Sequence, residues 1–167
     1  MKDKYIQSLV QEIFNNINVD KNLRSIHARE PSYSLQLFKE LLQSENLLLR
    51  DIAIHVLLAL EPHCGVDLLL PSLFDSEVSW RWYVCWALAD YGDERAVIPL
   101  TEVLLKDSDS DTRFMAAAAL EKIGDRRALP ALYHAVQNDS GTDYEGREIR
   151  TMALSAIQMI LSKQTQA

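Results

Sequence analysis

The chain has 167 residues, 48% of them hydrophobic and 25% charged, the make-up of a soluble globular protein that can bury a core without covalent staples. Its formal net charge of -7 argues against a phosphate-tracking surface, because nucleic-acid affinity rests on clustered Lys and Arg, and the 17 basic residues form no run. Cys64 and Cys85 make no CxxC pair, the first residues lack the apolar block of a secretory signal, and no stretch reaches the roughly 18 apolar residues of a membrane span. The expectation is a cytoplasmic protein that binds neither nucleic acid nor membrane.

Residues 1–31 read as an N-terminal capping helix and a connector. Tyr5, Ile6, Leu9, Val10, Ile13, Phe14 and Ile17 recur at helical spacing on one side. Gln7, Ser8, Gln11, Glu12, Asn15 and Asn16 lie on the other, so one face is dry and one wet. Residues 18–31, ending in Glu30-Pro31, are read as the connector.

Beyond it the chain repeats itself. RWYVCWALADYGDERAVIPL, from Arg81, aligns with RFMAAAALEKIGDRRALPAL, from Arg113, at an offset of 32 residues, and Asp75-Ser76 matches Asp107-Ser108 in the same register. Arg50 opens a looser copy, RDIAIHVLLAL, and Arg150 another, RTMALSAIQMI. The last copy follows an insertion of five residues, which the polar, glycine-containing NDSGTDYEG from Asn138 to Gly146 holds as a loop. The units run over about 33–61, 65–92, 94–124 and 126–162, so the repeat region covers 32–167. Each unit splits into a short helix, as with Val97, Leu100 and Leu104, and a longer one that stops at a glycine, as from Arg113 to Ile123 before Gly124. Strand-like alternation is nowhere sustained. Helices this short cannot bury their apolar stripes alone, so successive pairs must stack into an all-α solenoid of about four helix pairs behind the cap.

The pattern D-x-x-x-x-x-R-x-x-A-A-x-A-L-x-x-I-G-D-x-R-A-L-P-A-L, from Asp107 to Leu132, resembles a HEAT-like repeat, most of all the short type named after phycobilisome lyase (PBS lyase) subunits. The resemblance spans roughly residues 33–162, with specific matches in the two central units and looser ones outside. In the first unit Glu61-Pro62 stands where the others have Gly-Asp, so that turn must differ. The resemblance implies a right-handed α-α superhelix in which the second helix of each pair lines the concave side. It also implies that the repeated arginines (Arg50, Arg81, Arg113 and Arg150) brace neighbouring repeats through an Asp or a carbonyl, rather than forming an anion ladder. Asp75 and Asp107 then read as helix caps or as partners of that Arg.

With the register fixed, the aromatic cluster SWRWYVCWALADYG can be sorted. Positions three, four, six and seven after each Arg are small or aliphatic: Ala53, Ile54, Val56, Leu57; Val84, Cys85, Ala87, Leu88; Ala116, Ala117, Ala119, Leu120; Ala153, Leu154, Ala156, Ile157. These are helix-to-helix contacts, and Cys85 is one of them. Positions one, two and five vary, and they face the hollow. There Trp82, Trp86, Tyr83, Phe114, Met115, Ile52, His55 and Met152 form the candidate partner-binding strip, while Trp80, before the Arg, reads as core or rim. Lys122 is the one clear cation expected near it.

No nucleophile elbow, phosphate loop or paired-carboxylate motif stands out. HEAT-like deoxyhypusine hydroxylases hold iron through His-Glu pairs, and no such pair occurs here. EPHCGVD, from Glu61 to Asp67, offers mixed ligands but no second organised pair. Asp51, His55 and Asp90 are a conceivable acid/base set, better read as a solvated face. HEAT-like DNA glycosylases use a cationic hollow, which this acidic, aromatic strip does not match. No metal, cofactor or catalytic residue is predicted. The expected function is a non-catalytic adaptor or scaffold that binds another protein along the groove, with a homodimer as one form of that contact. The alternative, implied by the resemblance, is a bilin lyase or chaperone that handles an open-chain tetrapyrrole.

Overall fold

The computed structural model describes residues 4–15, 17–75, 78–91 and 93–163. These fall into two compact units, 1–65 and 66–167, and among the described residues the regular structure is helical, with one isolated antiparallel bridge between Thr142 and Glu148.

The first unit holds α1 (Lys4–Phe14), α2 (Val19–Arg29), α3 (Pro31–Leu42) and α4 (Leu47–Leu60). The capping helix forms, but its dry face is narrower than its sequence suggests. Leu9 and Ile13 are buried, whereas Tyr5, Phe14 and Ile17 are exposed; the Ile6 side chain lies outside the described residues. The Arg29 guanidinium stacks 4.4 Å over the Tyr5 ring, which keeps that ring at the surface. The segment 18–31 is not a connector but is mostly α2. Val19, Leu23 and Ile26 are buried at helical spacing and carry it onto its neighbours. Charged residues fill the turns between them and mask this short stripe in the sequence. Asn22 is buried too, and its amide donates to the Glu12 carboxylate (2.9 Å) and the Ile17 carbonyl (3.0 Å). As the odd turn signal implied, α4 ends at Glu61 without a left-handed glycine, and Pro62 opens the next helix.

α5 (Pro62–Leu69) leads into the second unit and continues as a tight 3-10 turn over Leu70–Leu73. There follow α6 (Arg81–Tyr91), α7 (Val97–Lys106), α8 (Ser110–Ile123), α9 (Leu129–Asn138) and α10 (Ile149–Ser162). α6, α8 and α10 stack as one layer, and Leu70–Leu73, α7 and α9 form the other. This is the HEAT-like, all-α solenoid arrangement. Small side chains at the seam let helices approach closely: Cys85, Ala87, Ala116, Ala117, Ala119, Ala153 and Ala156 are all buried. Burial pushes the Cys85 thiol far above its ordinary value, so it packs as a small apolar group. Leu154 departs from the seam pattern and is exposed, because no helix among the described residues follows α10 to cover it.

Two recurrent polar devices hold the repeats. Arg81 forks onto the Asp107 carboxylate (2.8 and 2.9 Å) and donates to the Val78 carbonyl (2.8 Å). One repeat on, Arg113 makes the same fork to Asp139 (2.8 and 3.3 Å) and donates to the Asp107 carbonyl (2.9 Å). Asp107 therefore ties two repeats with one residue. The helix cap beside it is Asp109, whose carboxylate accepts from the Thr112 N–H. Arg50 donates to the Ser44 carbonyl (2.9 Å), and Arg150 is exposed.

The second device is the Asp-x-Arg that follows the turns at Gly92 and Gly124 in the sequence. Asp93 and Asp125 accept from the backbone N–H of Arg95 and Arg127 (2.8 Å each), and those arginines reach back to Asp67 and Glu94 of the preceding repeat. Gly124 enters this turn at φ 77°, where a side chain is strained, and a Cβ there would press on Lys163. Gly92 and Ser76 lie outside the described residues. Gly124→Ala should lower stability by about 1 kcal/mol in a denaturant melt.

Candidate functional site

α6, α8 and α10 present one face that the other layer does not cover. On α6, Trp82 and Trp86 are 42% and 38% exposed, one helical turn apart, with half-buried Tyr83 wedged between them. The Tyr83 ring meets Trp82 edge-on at 5.6 Å between centroids and Trp86 at 5.3 Å. Trp80 is buried. On α8 and α10, Met115 and Met152 are half-buried.

Phe114 does not join this exposed strip. It is 7% exposed, and the Arg147 guanidinium lies 4.5 Å over its ring. The inserted loop is the cause. Asp143 is buried at its centre, where its carboxylate accepts from the backbone N–H groups of Glu145 and Arg147 and from the Arg147 side chain. The Tyr144 N–H donates to Asp111 at the start of α8 (2.6 Å), which pins the loop beside Phe114. Burial would push the Asp143 carboxyl up, but the hydrogen bonds and charge of Arg147 outweigh it and hold it below its usual value.

Ile52 and His55 belong to the first unit. Both are half-buried on α4, and His55 Nε2 stands 3.5 Å from Asp51. Asp90, the third member of the conceivable acid/base set, is ion-paired with Lys122 in the second unit.

Two clefts flank Met115. The first, about 410 Å³, is lined by Trp86, Met115, Ala118, Lys122, Met159 and Lys163 among others. The second, about 330 Å³, is lined by Trp82, Asp111, Phe114, Met115, Asp143, Tyr144 and Arg147. Lys122 is thus not the single cation of this face, since Lys163 and Arg147 reach it as well. Both come from segments beyond the repeat motif, the inserted loop and the end of the last helix. The Lys163 ammonium donates to the Lys122 carbonyl (3.3 Å), and Ser155 donates to Glu121 across α8 and α10 (2.6 Å).

Among the described residues no three His, Cys, Asp or Glu side chains gather as a metal site, and no helix is long and apolar enough to cross a membrane. In the EPHCGVD segment, Glu61 stands 3.3 Å from His27, and Asp67 is paired with Arg95. The face offers aromatic and thioether surface with mixed charges at its edge, which suits contact with a polypeptide or a flat ligand.

Comparison with curated proteins gives no match. A family model for HEAT repeats matches residues 66–155, more than half of the chain, and covers both the Arg-Asp clamps and the two tryptophans. HEAT repeats generally mediate protein–protein interaction. On that match and on the stacked helix pairs, the chain belongs to the HEAT-repeat family.

Proposed function

We propose that the chain is a non-catalytic adaptor that binds a protein partner, a helix or loop, along the α6–α8–α10 face. Trp82 and Trp86 anchor the contact, and Tyr83, Met115 and Met152 extend it; Ile52 and His55 are proposed as further contacts on the first unit. The observation that carries the reading is the pair of tryptophans left about two-fifths exposed, one helical turn apart, in a layer whose seam positions on α6 and α8 are small or aliphatic and buried. The two cysteines are unpaired, and the adaptor is proposed to act in the cytoplasm. Affinity capture from the source cells tests the reading, with the wild-type chain and a Trp82→Ala/Trp86→Ala chain as parallel baits. A protein retained by the first and lost by the second supports it. Identical captures contradict it, and self-association in sedimentation that the double substitution abolishes would make the partner a second copy.

One feature favours a second reading. Lys163 stands at the rim of an apolar cleft, a suitable cation for a propionate of an open-chain tetrapyrrole. Mixing the protein with a bilin and recording the absorbance tests this role, and a flat spectrum with an intact fold discards it.

A further inference from the structure

The Trp82 cleft has a chemistry of its own. Its apolar wall is Trp82, Phe114 and Met115, and its polar wall is Asp111, Asp143 and Arg147, with Tyr144 beside them. Inside it, the protein already seats one guanidinium on an aromatic ring: Arg147 lies over Phe114, with its fork on Asp143 and on Glu145 (3.2 Å). A planar cation of this kind gains from a π-face and a carboxylate together.

Trp82 and Asp111, which line the same cleft, offer that combination of ring and carboxylate a second time. The Trp82 ring is partly exposed, about two-fifths of its surface reaching solvent. One Asp111 oxygen accepts from the Tyr144 N–H, and the other makes no hydrogen bond among the described residues. The charges around the cleft are unequal, with Asp111, Asp143 and Glu145 set against the single Arg147 guanidinium. A second cation is therefore favoured there and an anion disfavoured.

We infer that this cleft receives an arginine side chain of the partner polypeptide, stacked on Trp82 and hydrogen-bonded to Asp111. The inference rests on the adaptor reading and adds the residue class that the partner must present. Such a contact fixes register, because a planar fork matches a carboxylate and a ring at once where a lysine matches only as a point charge.

The test uses the full chain, capped arginine amide and its neutral isostere, capped citrulline amide, followed by NMR of the tryptophan indole N–H signals. The Trp82 signal is identified from its loss in Trp82→Phe. Arginine amide should shift that signal saturably, with citrulline amide binding at least about fivefold more weakly. Asp111→Asn, which keeps the acceptor for Tyr144, should bring arginine down to the level of citrulline. Equal binding of the two amides, a shift confined to Trp86, no shift at all, or an unchanged response in Asp111→Asn would each overturn the inference. Any of these alongside a partner lost from the Trp82→Ala/Trp86→Ala bait would leave the adaptor reading standing. A normal arginine response with identical captures would do the reverse.

Discussion

Asp107→Ala is expected to lower the unfolding free energy by about 3 kcal/mol, a large share of the roughly 5–15 kcal/mol that holds a domain together. The Arg81 and Asp107 side chains are only 11% and 7% exposed. Removing the carboxylate leaves the guanidinium short of water and of its fork, and it also strips the Asp109 N–H of its acceptor. The cost lies in stranding a charge rather than in losing an attraction. The paired replacement Arg81→Met/Asp107→Leu should therefore recover most of the loss. Denaturant melts of the three variants measure both effects; a double variant as unstable as Asp107→Ala would mean that the clamp itself supplies the stability.

The same clamp sets a pH dependence. Burial pushes the Asp107 carboxyl up, but the Arg81 hydrogen bonds, the Asp109 N–H and the nearby Arg113 charge outweigh it, and the net direction is down. Asp139 is lowered in the same way, with Arg113 as its partner and burial opposing. Groups whose folded value is depressed stabilise the fold above the unfolded carboxylate value of about 3.9. That contribution is lost as pH falls through the lower, folded value. The Arg81–Asp107 and Arg113–Asp139 clamps should thus hold through neutral pH and open only in acid.

The second large effect concerns binding. Trp82→Ala with Trp86→Ala should weaken the partner by at least about 100-fold, since two central tryptophan anchors are each worth about 2 kcal/mol or more when truncated. The two rings both touch Tyr83, so the double change should fall short of the product of the single ones. Stability should change little by comparison, by about 1 kcal/mol per ring or less, because both rings are already partly in water. Titration calorimetry with the captured partner gives the first number and thermal melts the second.

What could be read in the sequence follows from how far each feature repeats. The helix pairs, the buried alanine seam and the bracing arginines recur at an offset of 32 residues, and repetition made them visible. Phe114 sits at a position that is exposed in the repeat before it, and it is covered only because an insertion peculiar to one unit folds back through Asp143 and Arg147. A contact made once leaves no trace in the register of a repeat. The α2 helix was hidden for a different reason, in that three buried apolar residues among polar and charged ones give too short a stripe to stand out. Lys163 escaped because it lies beyond the repeat motif and arrives through the geometry of α10.

Whether Trp82 and Trp86 anchor a partner is tested most directly by ¹⁹F NMR of fluorotryptophan-labelled protein with a soluble paramagnetic agent, before and after the captured partner is added. The Trp82 and Trp86 signals should broaden while that of Trp80 does not, and the partner should then shield those two. Three signals broadened alike, or Trp82 and Trp86 unprotected in the complex, would contradict this role.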